Sequence, residues 1–339
     1  MNHPGTTGPR GLPLPDLSAA FPGPFPSSPH ADAVERHLRQ WTDEFDLLAT
    51  GDARRALCNI TGQGVAHALP AADLDGLALC ADLFLWLVAF DDVHGEATAA
   101  ENPVRLVDRV AELTRVLADD NAVADPDDPV TAGLRDLLRR VKARATPTQY
   151  LRLTGHLRDN LVGLVWEAHH LNQPDRVTVH TYCAMRPYTV FVHTLMATAP
   201  VVLAYDLSET QRASDPVRQM ETAVANLAGW VNDLASHLRE VDRQRAMPLS
   251  LPTVLMAEHQ LNFPQAFEAA SRMCEEEAAV ARKRIRELSK SRARPLALHA
   301  AALETIAHSF IWHVDHDRYA VAQSQAVPTH LTTGRPSWP

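Results

Sequence analysis

The stretch from Ala71 to Phe90 constrains this chain more than any other, because it is apolar on nearly every helical face at once. Leu77, Leu79, Leu83, Phe84, Leu87 and Val88 leave no polar stripe to turn toward water, so such a helix must be enclosed on all sides. Enclosure needs a large core. The 339 residues supply one, being 46% hydrophobic and 22% charged, and wholesale disorder is excluded. What surrounds the helix should be helical as well. Glycine is scarce at 14 residues, Ala and Leu abound, and no segment alternates convincingly as a strand.

Helical spacing recurs in Val34, Leu38, Trp41, Phe45 and Leu48, then over about 103–118, 130–144 and 147–171. It resumes over about 175–205, interrupted by Pro187 and Pro200, and again over about 214–240, 263–290 and 296–323. Residues 119–129 read as a loop by composition, and no period of 20–50 residues repeats. The expectation is one all-α domain of roughly ten or more helices spanning residues 30–323. Residues 1–29 hold 8 of the 24 prolines and predict an extended arm or a disordered tail, while 324–339 form a polar tail.

The formal charge of −9, from 41 acidic and 32 basic residues, argues against a nucleic-acid or anionic-membrane surface. Cys58, Cys80, Cys183 and Cys274 form no CxxC pair, so they read as thiols of a reducing compartment, not as a zinc site. No basic segment leads into an apolar one at the N-terminus, and the runs Leu83–Phe90 and Leu195–Ala204 are too short for a bilayer. These features predict a cytoplasmic chain without a membrane span.

The apolar helix ends against the usual preference. Phe90 is followed by Asp91-Asp92-Val93-His94-Gly95-Glu96, acid at a helix C-terminus that favours cations. Asp92 and Glu96 share a face, with Asp91 one step round, and adjacent carboxylates repel unless a cation or strong donors stand between them. Hard oxygen ligands of this kind suit Mg²⁺, whereas a solvated cap is the bland alternative. A second cluster, Asn232-Asp233-x-x-Ser236-x-x-x-Glu240, lies inside a helical stretch. Asn232, Ser236 and Glu240 drift by only about 40° per step, so three oxygen side chains line one stripe. Asn and Ser gain a helix little, and apolar Leu227, Ala228 and Val231 precede the stripe, as if it faced a cleft. The third cluster is cationic: Arg186, Arg239 and Arg318-Tyr319, the last ending a helix with Phe310, Ile311 and Trp312. Arginine presents a planar fork matched to phosphate oxygens. Pro187, directly after Arg186, should kink or break its helix and free carbonyls toward a cavity, or simply mark a helix end.

Taken in order, these elements resemble the class I terpene synthases, specifically their single-domain microbial members, over about residues 25–323. The resemblance implies a helical bundle around a deep apolar cavity, with the two acidic motifs facing each other across its mouth. It implies three Mg²⁺ ions on a substrate diphosphate, held by Asp91, Asn232, Ser236 and Glu240, with Asp92 and Glu96 as supporting ligands. Arg186 matches the diphosphate-sensing arginine, and Arg239, Arg318 and Tyr319 would join it in donating hydrogen bonds to the diphosphate, with Arg186 and Tyr319 as the catalytic pair. Thr189 falls at the linker position and Val190 at the effector carbonyl. The candidate cavity wall comprises Phe84, Val88, Phe90, Tyr188, Thr189, Val190, Phe191 and Trp312.

The activity so implied is ionisation of an isoprenyl diphosphate to a carbocation, which becomes a terpene hydrocarbon or alcohol with release of diphosphate. Farnesyl diphosphate is the default substrate; geranylgeranyl diphosphate is the alternative, with geranyl diphosphate behind it. A homodimer is a family expectation, as is packing of the proline-rich arm over the mouth on closure. Two rivals stand beside this reading. A trans-prenyltransferase would carry a second aspartate-rich motif where this chain reads Asn232-Asp233-Leu-Ala-Ser236, and a non-catalytic helical interaction module would not need intact polar stripes.

Overall fold

The computed structural model describes residues 12–314 apart from 13, 96–102, 120, 124, 126, 245 and 246, and only the backbone of 103, 238–244 and 314. All regular structure among the described residues is helical. The apolar stretch is α3, Leu74–Phe90, started by Asp73, whose carboxylate accepts from the Gly76 amide at 2.6 Å. It packs against α1 (Ala31–Glu44), α2 (Asp52–Ala68), α5 (Pro129–Arg144) and α8 (Val192–Val202). From Gly76 to Phe90 every residue of α3 is buried except Phe84 and Val88, one turn apart. The central helix is therefore enclosed on all sides but one stripe.

The remaining helices are α4 (Pro103–Ala118), α6 (Pro147–His170), α7 (Val179–Thr189), α9 (Glu209–Arg212), α10 (Asp215–Gln244), α11 (Leu251–His259), α12 (Phe263–Leu288) and α13 (Arg294–Val314). Start signals are legible: Thr146 and Asn262 make reciprocal capping boxes with Gln149 and Gln265, each followed by a first-turn proline. The 30-residue α10 runs along α12 and α13 and crosses α7. No described helix is long and apolar enough to cross a membrane.

Two local expectations need correction, and one open alternative is resolved. Helices α2, α9 and α11 lie outside the stretches that helical spacing marks; α2 carries Gly62 and Gly64, which weaken its intrinsic helical signal. Tertiary contact supplies the compensation, since a Cβ on Gly62 would crowd the Glu35 backbone of α1 at 3.2 Å. Pro187 and Pro200 lie inside α7 and α8 and break neither; the chain breaks at Val190–Phe191. Of the proline-rich segment, residues 14–29 take the arm alternative, docked on the bundle, and not that of a disordered tail. Leu17 and Phe21 are buried, Phe25 stacks on His308 of α13 at 4.7 Å, and Ser28 donates its amide to Ala66 of α2.

Candidate active site

The open stripe of α3 defines one wall of a cavity of about 200 Å³. Phe84 and Val88 line it, and the next turns of the same face bring Asp91 and Asp92 to its rim. Those two sit in a π-helical turn, Asp91–Gly95, where the helix widens just past its apolar run. Leu57, Ile60 and Val65 of α2, Leu164 of α6 with Leu171 at its C-cap, Leu195 of α8 and Phe310 of α13 close the apolar part. The charged and amide lining is Asp91, Asp92, Glu167, Arg186 and Asn232. The lining joins groups suited to charge with groups suited to hydrocarbon.

Arg186 stands at the junction. Its Nε donates to Asp233 Oδ1 at 2.8 Å, Nη2 to Asn232 Oδ1 at 2.9 Å and Nη1 to Thr189 Oγ1 at 2.9 Å, with Glu167 Oε1 at 3.9 Å. Asp233 is 2% exposed and also accepts from Tyr182 Oη at 2.6 Å and from the Leu251 amide at 2.9 Å. The last bond caps α11, whose own N-cap residue Ser250 makes no side-chain cap. Burial, with the Asp233 carboxylate beside it, pushes the Tyr182 phenol well above its ordinary value, so it stays a donor. Asp233 thus anchors α7, α10 and α11 together and sets the arginine at the cavity.

The break after α7 is specific. Phe191 has φ of 61°, a left-handed conformation that a bulky residue adopts only when its surroundings impose it. Gly163 of α6 permits the close approach, because a Cβ there would meet Tyr188 Cβ at 2.9 Å. The result lays Thr189, Val190 and Phe191 along the cavity wall.

Of the proposed wall, Phe84, Val88, Thr189, Val190 and Phe191 line the cavity; Phe90, Tyr188 and Trp312 do not. Phe90 lies off the Phe84–Val88 stripe and packs between Trp86 and His94. Tyr188 points to His193 in a second, polar pocket. Trp312 stacks on His67, off the stripe of Ser309, Phe310 and His313 by which α13 reaches the cavity. Glu96, Arg318 and Tyr319, and the side chains of Arg239 and Glu240, lie outside the described residues. Sequence reasoning missed Glu167 and the anchoring role of Asp233. Glu167 carried a signal, being the one acid in the stripe Leu164, Glu167, Ala168 and Leu171.

Asn232 faces the cavity, and Ser236 follows one turn later on the same face of α10. Ser236 is 1% exposed and its hydroxyl has no hydrogen-bond partner. A buried orphan hydroxyl is costly unless something outside the protein completes it. With Asp91 and Asp92 at the facing rim, the donors are all hard oxygens, and the set fits a hard divalent cation.

The sequence matches the family described as terpene synthase family 2, C-terminal metal binding, over residues 82–279. It is 54% identical to a (12E)-labda-8(17),12,14-triene synthase of Streptomyces anulatus, across 93% of this chain and 97% of that one. A labda-7,13(16),14-triene synthase of Streptomyces clavuligerus is 36% identical across 86% and 83%. Among solved structures, the SVS_A2 protein from ancestral sequence reconstruction superposes with a TM-score of 0.78 at 18% identity, covering 93% of this chain and 90% of that one. The linalool/nerolidol synthase of Streptomyces clavuligerus gives 0.73 at 19%, covering 86% and 98%. With a helical bundle, an apolar cavity and an acid-lined rim joined to these likenesses, the chain belongs to the microbial class I terpene synthases and is an enzyme of that family.

Proposed function

We propose that the enzyme is a diterpene synthase that takes a bicyclic labdadienyl diphosphate and releases a labdatriene. The observation that carries this is the 54% identity, over nearly the full length of both chains, to a (12E)-labda-8(17),12,14-triene synthase. A triene with double bonds at 8(17), 12 and 14 follows from a labda-8(17),13-dien-15-yl diphosphate in two moves. The C15–O bond breaks to give an allylic cation spread over C13 and C15, and a proton leaves C12. Diphosphate and that proton account for all atoms lost. No ring forms in these moves, so the two rings must already exist, made by a proton-initiated cyclisation of geranylgeranyl diphosphate in a separate reaction. The one Asp-x-Asp-Asp tetrapeptide, Asp125–Asp128, offers no general acid for that step here. It lies in the loop before α5 with Asp125 and Asp127 exposed, and Asp128 is committed as the N-cap of that helix.

Asp91, Asn232, Ser236 and Glu240, supported by Asp92 and Glu96, would hold Mg²⁺, three ions by family likeness. When bound, Mg²⁺ supplies the positive charge that stabilises the departing diphosphate. Arg186, joined by Arg239, Arg318 and Tyr319, donates hydrogen bonds to the same oxygens. The apolar wall from Phe84 to Leu195 excludes water while the cation exists, and Phe84 and Phe191, with ring centroids 6.2 Å apart, present aromatic surface to it.

Incubating the enzyme and Mg²⁺ separately with the bicyclic diphosphate, geranylgeranyl diphosphate and farnesyl diphosphate tests the reading by gas chromatography. The expected result is a C20 triene from the bicyclic substrate. A sesquiterpene from farnesyl diphosphate, with nothing from the bicyclic one, would overturn it.

A further inference from the structure

Glycine is the poorest helix former after proline, so one inside a long helix calls for a reason in packing. Gly229 lies within the 30-residue α10, one turn before Asp233. A Cβ built there would come 2.7 Å from Cγ of Arg186 and 3.7 Å from its Cβ and Cδ. The arginine stem therefore lies flat on α10 at this one point. Its guanidinium emerges a turn further on, against the Asn232 and Asp233 side chains of the same helix.

We propose that Gly229 is the positioning residue of Arg186: lacking a side chain, it seats the arginine stem against α10 and so aims the guanidinium along the polar rim of the cavity. The proposal rests on the reading of Arg186 as a diphosphate-binding group. The atom a Cβ would meet is a side-chain carbon of the arginine and not backbone. Alanine at 229 thus leaves α10 intact and moves the arginine. Relieving the 2.7 Å contact moves the stem by about 1 Å, enough to disrupt three guanidinium bonds of 2.8–2.9 Å, whose geometry is narrow. The substitution acts on the site through the arginine and not through the backbone of α10. Gly155 of α6 supplies the matched control, because a Cβ there meets nothing within 4 Å.

The test compares wild type, Gly229→Ala, Gly155→Ala, Arg186→Ala and the Arg186→Ala/Gly229→Ala double variant. Three readouts are taken: melting temperature, calorimetric binding of inorganic diphosphate with Mg²⁺, and steady-state kinetics. Gly229→Ala is expected to lower Tm by no more than Arg186→Ala does, since both loosen the buried pair with Asp233, to weaken diphosphate binding tenfold or more, and to lower kcat more than it changes KM. Gly155→Ala should raise Tm with diphosphate binding unchanged, and the double variant should bind no more weakly than Arg186→Ala alone. Wild-type diphosphate binding by Gly229→Ala, or losses that multiply in the double variant, would overturn the proposal. A Tm of the double variant below that of Arg186→Ala alone also overturns it, because without the Arg186 Cγ the new methyl has nothing to displace. Arg186→Ala binding diphosphate like wild type is a separate result, which defeats the reading of Arg186 and the proposal with it. None of these readouts depends on which terpenyl chain the enzyme accepts, save the kinetics.

Discussion

Asp82 and Asp233 are both buried carboxylates with an arginine nitrogen within 2.8 Å, yet their networks end in different places. Asp82 of α3 accepts from Arg140 of α5 and pairs with His37 of α1, each at 2.7 Å. Arg140 also reaches Asp136 at 3.1 Å, which accepts from Trp41 Nε1 at 3.0 Å. That ring ties three helices and contributes nothing to the wall of the cavity. Around Asp233 the arginine has further donors left over, and they meet Asn232 and Thr189 on that wall. A buried ion pair is therefore weak evidence of function by itself. What distinguishes the two is where the remaining donors of the arginine end.

Four experiments would break or sharpen this contrast. Asp233→Ala should do the most damage, because it orphans Arg186, Tyr182 and the N-terminus of α11 together. Turnover should fall by about 10³ or more, and stability by about 3–5 kcal/mol on urea unfolding. Asp82→Ala should cost a similar about 3–5 kcal/mol of stability, while kcat/KM of the folded fraction stays within about threefold of wild type. A large kinetic loss at Asp82 would erase the contrast. Ser236→Ala is expected to lower turnover by about 10–100-fold with Tm unchanged or raised, since it removes a buried hydroxyl that nothing in the fold satisfies. A drop in Tm would instead reveal a structural partner for that hydroxyl.

The smallest effect concerns a polar cluster outside both networks. His193 packs on Tyr188 at 5.0 Å and His156 at 5.6 Å, and burial depresses its pKa to about 4. Its folded value lies below the unfolded 6.5, so the unfolded chain binds more protons between these limits. The resulting stability is full above pH 6.5 and is lost as pH falls toward 4. His193→Gln should therefore flatten the stability profile by about 2 kcal/mol at pH 5. An unchanged slope in chemical denaturation from pH 7 to 5 would refute the assignment.

Much of the site was legible because it is written in short helical intervals. The apolar helix, the acids at its end and the Asn232–Ser236 stripe each follow from residues three or four apart, and periodicity alone assigns them a face. Aromatics were harder to place. Phe90, Tyr188 and Trp312 have the composition of a cavity wall, but one residue turns a helical position by 100°, enough to move it from cavity to core. Glu167 and Asp233 could not be ranked from sequence. Their importance lies in meeting Arg186 from helices far apart in the chain.

By itself, then, the sequence determined an all-helical domain, the two oxygen-rich stretches and the arginine between them, since local spacing and burial of a fully apolar helix leave little freedom. Tertiary structure decided where the chain breaks, at Phe191 and not at Pro187 or Pro200. It also decided that Asp233 locks three helices, and that Gly229 lies beneath the arginine stem. A proline removes one backbone donor without fixing where the helix stops, whereas a left-handed phenylalanine and a missing Cβ acquire meaning only from what packs against them.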